Sequence, residues 1–303
     1  DGLLSVNINA SDNIGIDHVE IWFYNTTGGL IFSDNMNLVG GMEYDYLWDS
    51  TGQSIGNNYY LDIIAYDTSN NNNSITLFFN ITKYMGANIY IDALATGVGA
   101  HNWTWAVNQT WCSGSGTWAD PYIIQNLAID AYGFGSGLVI VNSQGVYFKI
   151  YNVNVSNAGT EWGEAGIKVN QSNNGIIEKC YCSFNNRMGI TAYQSSNITI
   201  VDCVANDNSM YGIILPFCNN SRVINCDTFR NGENGITLAN GNNNTIRECS
   251  VIDNPHHGIT LVNTTQSSIK SSVIMNNGWS GIILVETCSE NYIWNNSITN
   301  NSR

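Results

Sequence analysis

Apolar and polar positions alternate along residues 1–83. Leu4, Val6 and Ile8 point one way, as do Val19, Ile21 and Phe23, then Tyr44, Tyr46 and Trp48. Leu61, Ile63 and Ala65 follow, and Ile75, Leu77, Phe79 and Ile81 close the series. Gly28-Gly29, Gly40-Gly41 and Asn70–Asn73 fall between these runs. Period-two runs broken by turn residues predict short antiparallel strands in a sandwich.

From residue 137 the pattern changes. A glycine followed by an aliphatic residue recurs at Gly166, Gly189, Gly212, Gly235, Gly258 and Gly281, each 23 residues after the last. Gly137 opens the series 29 residues before Gly166, which implies a six-residue insertion. A fixed period in the low twenties marks a stacked β-solenoid, whose coils lie about 4.8 Å apart so that equivalent residues form ladders. Asn185, Asn208, Asn231, Asn254, Asn277 and Asn300 stand nineteen residues after each glycine. Asn174, Asn197, Asn220 and Asn243 stand eight after. Asparagine suits such turns because it tolerates left-handed backbone and its amide can bond its copies above and below.

Cysteines share a third column: Cys180, Cys203, Cys226 and Cys249, fourteen residues after each glycine, with Ser272 next. Stacked side chains run parallel, which is the wrong geometry for a disulfide, and lie in a line, which is wrong for a metal. The column is expected to be buried reduced thiols, and Cys203→Ser to cost about 1–3 kcal/mol for an unpartnered hydroxyl. Cys182 is an inward neighbour that could bridge to Cys112, whereas Cys218 and Cys288 lie too far apart to pair.

The solenoid segment, with its lead-in "CSGSGTWADPYIIQNLAID", resembles the right-handed parallel β-helix family of pectate-lyase-like and NosD-like repeat proteins. The runs "NASDNIGIDHVEIWFYN" and "YYLDIIAYDTSNNNNSITLFF" resemble Ig-like modules of bacterial and archaeal surface proteins, without their usual first strand. The expected fold is therefore all-β. An Ig-like sandwich over residues 1–83 and a Trp-rich linker and cap over 84–118 precede a right-handed parallel β-helix of about seven coils over 119–303. Trp103, Trp105 and Trp111 are expected to plug the solenoid end or a domain junction, with a sugar-stacking platform as the alternative.

Composition narrows the function. Only 11% of residues are charged and the net charge is −14, so no basic patch able to neutralise nucleic-acid phosphates is expected. No apolar run is long enough to cross a membrane as a helix. Fourteen Asn-x-Ser/Thr sequons occur, against roughly seven expected by chance, which points to a secreted, N-glycosylated cell-surface protein. Asn25, Asn72, Asn102, Asn108, Asn154, Asn170, Asn219 and Asn263 are the expected glycan acceptors, because Asn197, Asn243 and Asn300 fall in ladders.

Candidate chemistry is sparse. Carbohydrate cleavage on a β-helix needs carboxylates on adjacent coils, and the best column is Lys179, Asp202, Asn225 and Glu248, with Asp202 and Glu248 two coils apart. A second column, Asp207, Arg230 and Asp253, reads as a salt-bridge ladder. No cofactor is expected. His256-His257 lacks a third ligand, and the turns holding Asp12, Asp17 and Asp67 could take calcium only weakly. The loop 157–165, with Glu161, Trp162 and Glu164, is expected to project and contact a partner.

These features predict a non-catalytic surface protein whose partners are other copies of itself, its own N-linked glycans and extracellular polysaccharide. An uncapped last coil and a missing first strand suggest a head-to-tail filament. The alternatives are a polysaccharide lyase or hydrolase, which would need convergent carboxylates, and a glycan-binding adhesin, which would need exposed aromatics.

Overall fold

A computed structural model describes residues 3–9, 16–25, 27–40, 43–49, 56–69, 71–81, 83–85 and 88–302. The chain divides into two compact units, Asp1–Tyr84 and Met85–Arg303. The first unit holds two antiparallel sheets. One orders Leu30–Asn35, Ile16–Tyr24, Gly56–Asp67 and Asn72–Ile81, and the other orders Leu3–Asn9, Glu43–Asp49 and Asn37–Gly40. Alternation places Val19, Ile21, Phe23, Leu61 and Ile63 in one buried cluster with Met36 and Tyr44. Asp12 lies outside the described residues. Asp67 accepts hydrogen bonds from the Ser69 and Asn71 backbone and from the Asn71 amide, all at 2.8 Å. These bonds hold its carboxyl below the usual range, the Asn71 side chain contributing most, so turn chemistry accounts for that carboxylate. Asp17 is engaged by His18 at 2.8 Å.

The second unit is a parallel β-solenoid. Eight strands form one flat sheet: Ile89–Asp92, Leu138–Val141, Ala165–Asn170, Met188–Tyr193, Ile213–Pro216, Ile236–Ala239, Ile259–Val262 and Ile282–Val285. That makes eight rungs where the glycine repeat counts seven, because Ile89–Asp92 pairs with Leu138–Val141 as a first rung inside the segment assigned to the linker. A larger bent sheet closes each coil. Its two arms, represented by Arg222–Ile224 and Asp227–Phe229, meet at the long strand Phe148–Ser156, which pairs with the first strand of both arms.

The five coils from Gly166 to Gly258 turn at four positions of positive φ, five, eight, thirteen and eighteen residues after the glycine; in one coil these are Phe217, Asn220, Asn225 and Arg230. Left-handed backbone is costly for most residues and mildest for Asn and Asp, which explains the asparagine content. The repeating glycines serve a different need. At Gly212 a Cβ would stand 2.7 Å from the Gly235 carbonyl oxygen and 2.8 Å from the Asn231 amide nitrogen, so the column keeps open the space through which one coil touches the next.

Turns bury backbone N–H groups that no strand can satisfy, and ladders of side chains accept them. Asn231 Oδ1 accepts from the backbone and the amide of Asn208, while its own amide donates to the Ala205 carbonyl and to Asn254. The column runs Asn185, Asn208, Asn231, Asn254, Asn277 and then Asn301, which accepts from the Asn277 backbone at 2.9 Å. Asn301 replaces the expected Asn300 because the last coil carries one extra residue near Thr287, which shifts every later partner to 24 residues.

The thiols serve the same purpose. Cys203 Sγ accepts from the Cys180 backbone N–H at 3.4 Å and donates to the Val201 and Ile177 carbonyls. One coil beyond Cys249, Ser272 accepts from the Cys249 N–H at 3.1 Å and donates to the Lys270 carbonyl. A hydroxyl in this column therefore has partners, and the expected cost of Cys203→Ser is corrected downward to about 1 kcal/mol or less, measurable by urea unfolding. All eight cysteines are free, including Cys112 and Cys182. Burial raises the Cys182, Cys203 and Cys226 thiols well above their usual range and pushes Cys112 and Cys218 up to about 12. Alkylation of native protein at pH 8 should label Cys288, which is half-buried, and leave the seven buried thiols untouched. Mass spectrometry after denaturation should then find all eight labelled.

Trp103 and Trp111 are buried in the solenoid core. Trp103 donates to Ser143 Oγ at 2.9 Å and stacks on Tyr122 at 4.4 Å. The short helix Trp103–Ala106 thus closes the core, and these two rings are not a sugar platform.

Candidate functional site

The carboxylate column singled out from the sequence is a turn column. Lys179, Asp202, Asn225 and Glu248 all have positive φ, which selects polar residues without reference to chemistry. Asp202 accepts from the Asn225 amide at 2.7 Å, and Glu248 pairs with Arg247 at 2.7 Å. An intervening coil separates the two carboxylates, and each already has a partner. Asp207 takes a two-pronged hydrogen bond from Arg230, at 2.8 and 2.7 Å, which holds its carboxyl below the usual range. Its contribution is present above the unfolded aspartate value and is lost as pH falls through the lowered one.

The outward face of the eight-stranded sheet offers a different arrangement. Two residues after each glycine the strand points away from the core, at Lys168, Thr191, Ile214, Thr237, Thr260 and Ile283. Thr191, Thr237 and Thr260 are nonetheless buried, and the turn before Thr237 reaches it through Asn234, which donates to Thr237 Oγ1. Ile214 clusters with Ala165, Met188 and Tyr211. The Thr260 hydroxyl is buried without a partner among the described residues.

The turns before these strands build a crest along one border of the sheet. From coil to coil it presents Arg187, Met210, Glu233, His256 and Trp279. His256 stacks on Trp279 at 4.5 Å, His257 meets the same ring edge-on at 5.1 Å, and the Arg187 guanidinium lies 5.2 Å from the Trp162 ring. The Tyr211 hydroxyl bonds Glu233, and burial, with that carboxylate second, pushes it up to about 12. His257 Nδ1 accepts from the Ser280 backbone. The opposite border carries amides and aromatics: Gln171 donates to Gln194, Asn263 to Asn240, and Tyr193 meets Phe217 at 5.7 Å. Between the borders runs an accessible strip of Tyr193, Pro216, Ala239, Val262 and Val285. Trp162, Trp279, Tyr193 and Phe217 are all exposed. The result is an elongated apolar strip with amides on one side and aromatic and ionic groups on the other.

The six-residue insertion is divided. Register shifts by two between Ser143 and Phe148 and by four between Gly159 and Ala165. The projecting loop is correspondingly smaller than 157–165. Ala158 occupies an asparagine-ladder slot, its N–H bonding Asn185, and Ala158, Gly159 and Ala165 are buried. Glu161 and Trp162 are exposed, and Glu164 folds back onto the Glu161 backbone.

The sequon asparagines differ in availability. Asn72, Asn108, Asn154 and Asn219 are exposed, and Asn25 is a half-buried turn residue whose oxygen accepts from Thr27 and Gly29. Asn102 is less suited than its sequon suggests, because it caps the short helix and its amide nitrogen donates to the Ala95 carbonyl. Asn170 has a buried oxygen. Asn263, set apart from the ladders on sequence, belongs to one through Asn240.

Residues 136–301 match a family model described as "Right handed beta helix region". No curated protein matches the chain. Among solved structures, tailspike protein 2 of an Escherichia coli bacteriophage is similar at 14% identity and a TM-score of 0.48, over 57% of this chain and 28% of that one. A periplasmic alginate epimerase is similar at 17% identity and 0.49, over 58% and 50%. A mannuronan C-5 epimerase module from Azotobacter vinelandii is similar at 16% and 0.48, over 60% and 55%. The chain spans less than two thirds of the length of each.

Proposed function

Since the chain belongs to the right-handed β-helix family, over residues 136–301, we propose that it is a secreted glycan-binding protein that holds an extended saccharide along the outward face of its eight-stranded sheet. The observation that carries the reading is the strip itself. Exposed Tyr193, Phe217 and Trp279 offer flat apolar surfaces to pyranose rings, and the adjoining amides offer donors and acceptors to hydroxyls. A linear ligand suits a site that repeats once per coil.

Catalysis is not part of the proposal. Glu233 in the crest is bonded to Tyr211 and Glu286 stands on the opposite border two coils away, so the two do not converge as a glycosidase pair must. The sequons support an extracellular setting, and the antiparallel N-terminal unit is read as an Ig-like spacer carrying the solenoid. Head-to-tail assembly is set aside, since any segment of a longer chain would show the same two ends.

Binding to an immobilised panel of neutral and acidic oligosaccharides tests the reading. Phe217→Ala and Trp279→Ala, both at exposed rings, should each weaken binding about tenfold or more, about 1.4 kcal/mol, without loss of thermal stability. Binding unchanged in both variants would contradict the proposal, and release of shortened saccharides would replace it with an enzyme.

A further inference from the structure

We propose a second, separate ligand face, for a linear carboxylated polysaccharide, on the arm of the bent sheet that carries Arg222–Ile224 and its stacked equivalents. The whole chain has a net charge of −14, yet its few cations are not spread evenly. Residues 88–302 contain eight Lys and Arg, and five of them, Lys149, Lys179, Arg222, Arg247 and Lys270, stand on this arm or on the turn that ends it. Three carboxylates share the face, Glu178, Asp202 and Glu248. The rest of the same segment carries three cations against eleven carboxylates. The arm is net positive on a molecule that is otherwise strongly negative.

Internal pairing does not account for the surplus. Lys149 pairs with Glu178 at 2.8 Å and Arg247 with Glu248 at 2.7 Å. Among the described residues no ion pair is formed by Lys179, Arg222 or Lys270. Arg247 and Lys270 also sit side by side in register on neighbouring parallel strands, where like charges repel. Glu248 offsets the Arg247 charge alone, so an anion lying across both gains the unpaired Lys270 charge as well. Aromatic surface accompanies the cations: the Lys149 ammonium is 4.8 Å from the Tyr151 ring centroid and Lys270 is 5.2 Å from that of Trp294.

The occupant follows from charge and dimensions. Cations occur on five coils of this arm, and coils repeat about every 4.8 Å, close to the length of one pyranose unit. A single strand of uronic acids can therefore set roughly one carboxylate per coil against the strip. A wide polyanion such as duplex nucleic acid would overhang onto the acidic flanks and be repelled. This face is distinct from the aromatic strip on the eight-stranded sheet, so the inference stands whether or not the first proposal does.

The test uses the full chain with polygalacturonate, dextran and single-stranded DNA as probes, titrated calorimetrically at several salt concentrations. Polygalacturonate should bind, with log affinity falling linearly as log salt rises, and dextran should not bind through this face. Replacing two of the cations that form no ion pair, Arg222→Glu with Lys270→Glu, should abolish detectable binding. The milder pair Arg222→Gln with Lys270→Gln should leave weak binding whose salt slope is smaller by about 2. Arg230→Gln, which removes an exposed cation at the end of the other arm, should bind polygalacturonate as wild type does, which separates this face from a general effect of charge. Failure of polygalacturonate to bind, unchanged affinity in both double variants, a loss in Arg230→Gln equal to theirs, or tighter binding of DNA would each overturn the proposal.

Discussion

Asn231→Ala is expected to lower the unfolding free energy by about 3–6 kcal/mol, the largest loss for any single polar side chain in the solenoid. The amide accepts two hydrogen bonds from Asn208 and donates to Ala205 and Asn254, all of them buried. Truncation leaves the buried Asn208 backbone N–H without its acceptor and removes one bond each from the Ala205 carbonyl, the Asn208 amide and Asn254 Oδ1, the last two keeping the Cys182 carbonyl and the Asn231 N–H as partners. Each loss costs about 1–3 kcal/mol before relaxation. Asn220→Ala removes an asparagine from an exposed turn ladder, where it receives one bond from the Asn243 amide. It should cost only about 1–2 kcal/mol, mainly the penalty of left-handed backbone. Urea unfolding of the two variants side by side checks the contrast. Equal losses would mean that the inner ladder does not hold the coils together.

Gly212→Ala should cost about 2–3 kcal/mol although it adds a single methyl. The new Cβ would meet the Gly235 carbonyl oxygen at 2.7 Å, the Asn231 amide at 2.8 Å and the Thr228 Cβ at 3.1 Å. Two of these are pinned, one as backbone and the other by the ladder, so relief requires the coils to separate locally. The φ of Gly212 is not positive, and the loss would therefore report packing between coils and not turn strain. Thermal unfolding of this variant, compared with Gly232→Ala against the Ser209 backbone at 2.2 Å, would show whether the close approach is general to the stack.

Much of the solenoid was legible because in-register parallel stacking makes every column repeat. Gly212, Asn231 and Cys203 recur at fixed spacing since each meets its own equivalent in the next coil. Three features escaped for physical reasons. The insertion was counted correctly from Gly137 to Gly166, but length alone cannot divide it between residues 144–147 and 160–164. The last coil was misread because Asn300 and Asn301 both satisfy an asparagine pattern, and the strand register alone shows which one faces inward. Ile89–Asp92 was missed because no glycine repeat leads into it.

The candidate site was less legible. Asp202 and Glu248 looked chemical because they are carboxylates in a column, whereas positive φ explains a polar residue there. The crest of Arg187, Met210, Glu233, His256 and Trp279 repeats in position but in no residue type, so a search for repeated identity passes over it. Aligning the coils on their glycines and reading down each column for exposed aromatics would have found Trp279, and Tyr193 beside Phe217.

The most direct measurement is calorimetric titration of the full chain with a glycan chosen from the panel, as oligomers of increasing length. A ligand lying along the sheet gains contacts with each coil it crosses, so affinity should rise with each added sugar over several units and then level off, with Phe217→Ala lowering the gain. Affinity independent of length, or no binding by any oligomer, would contradict the account.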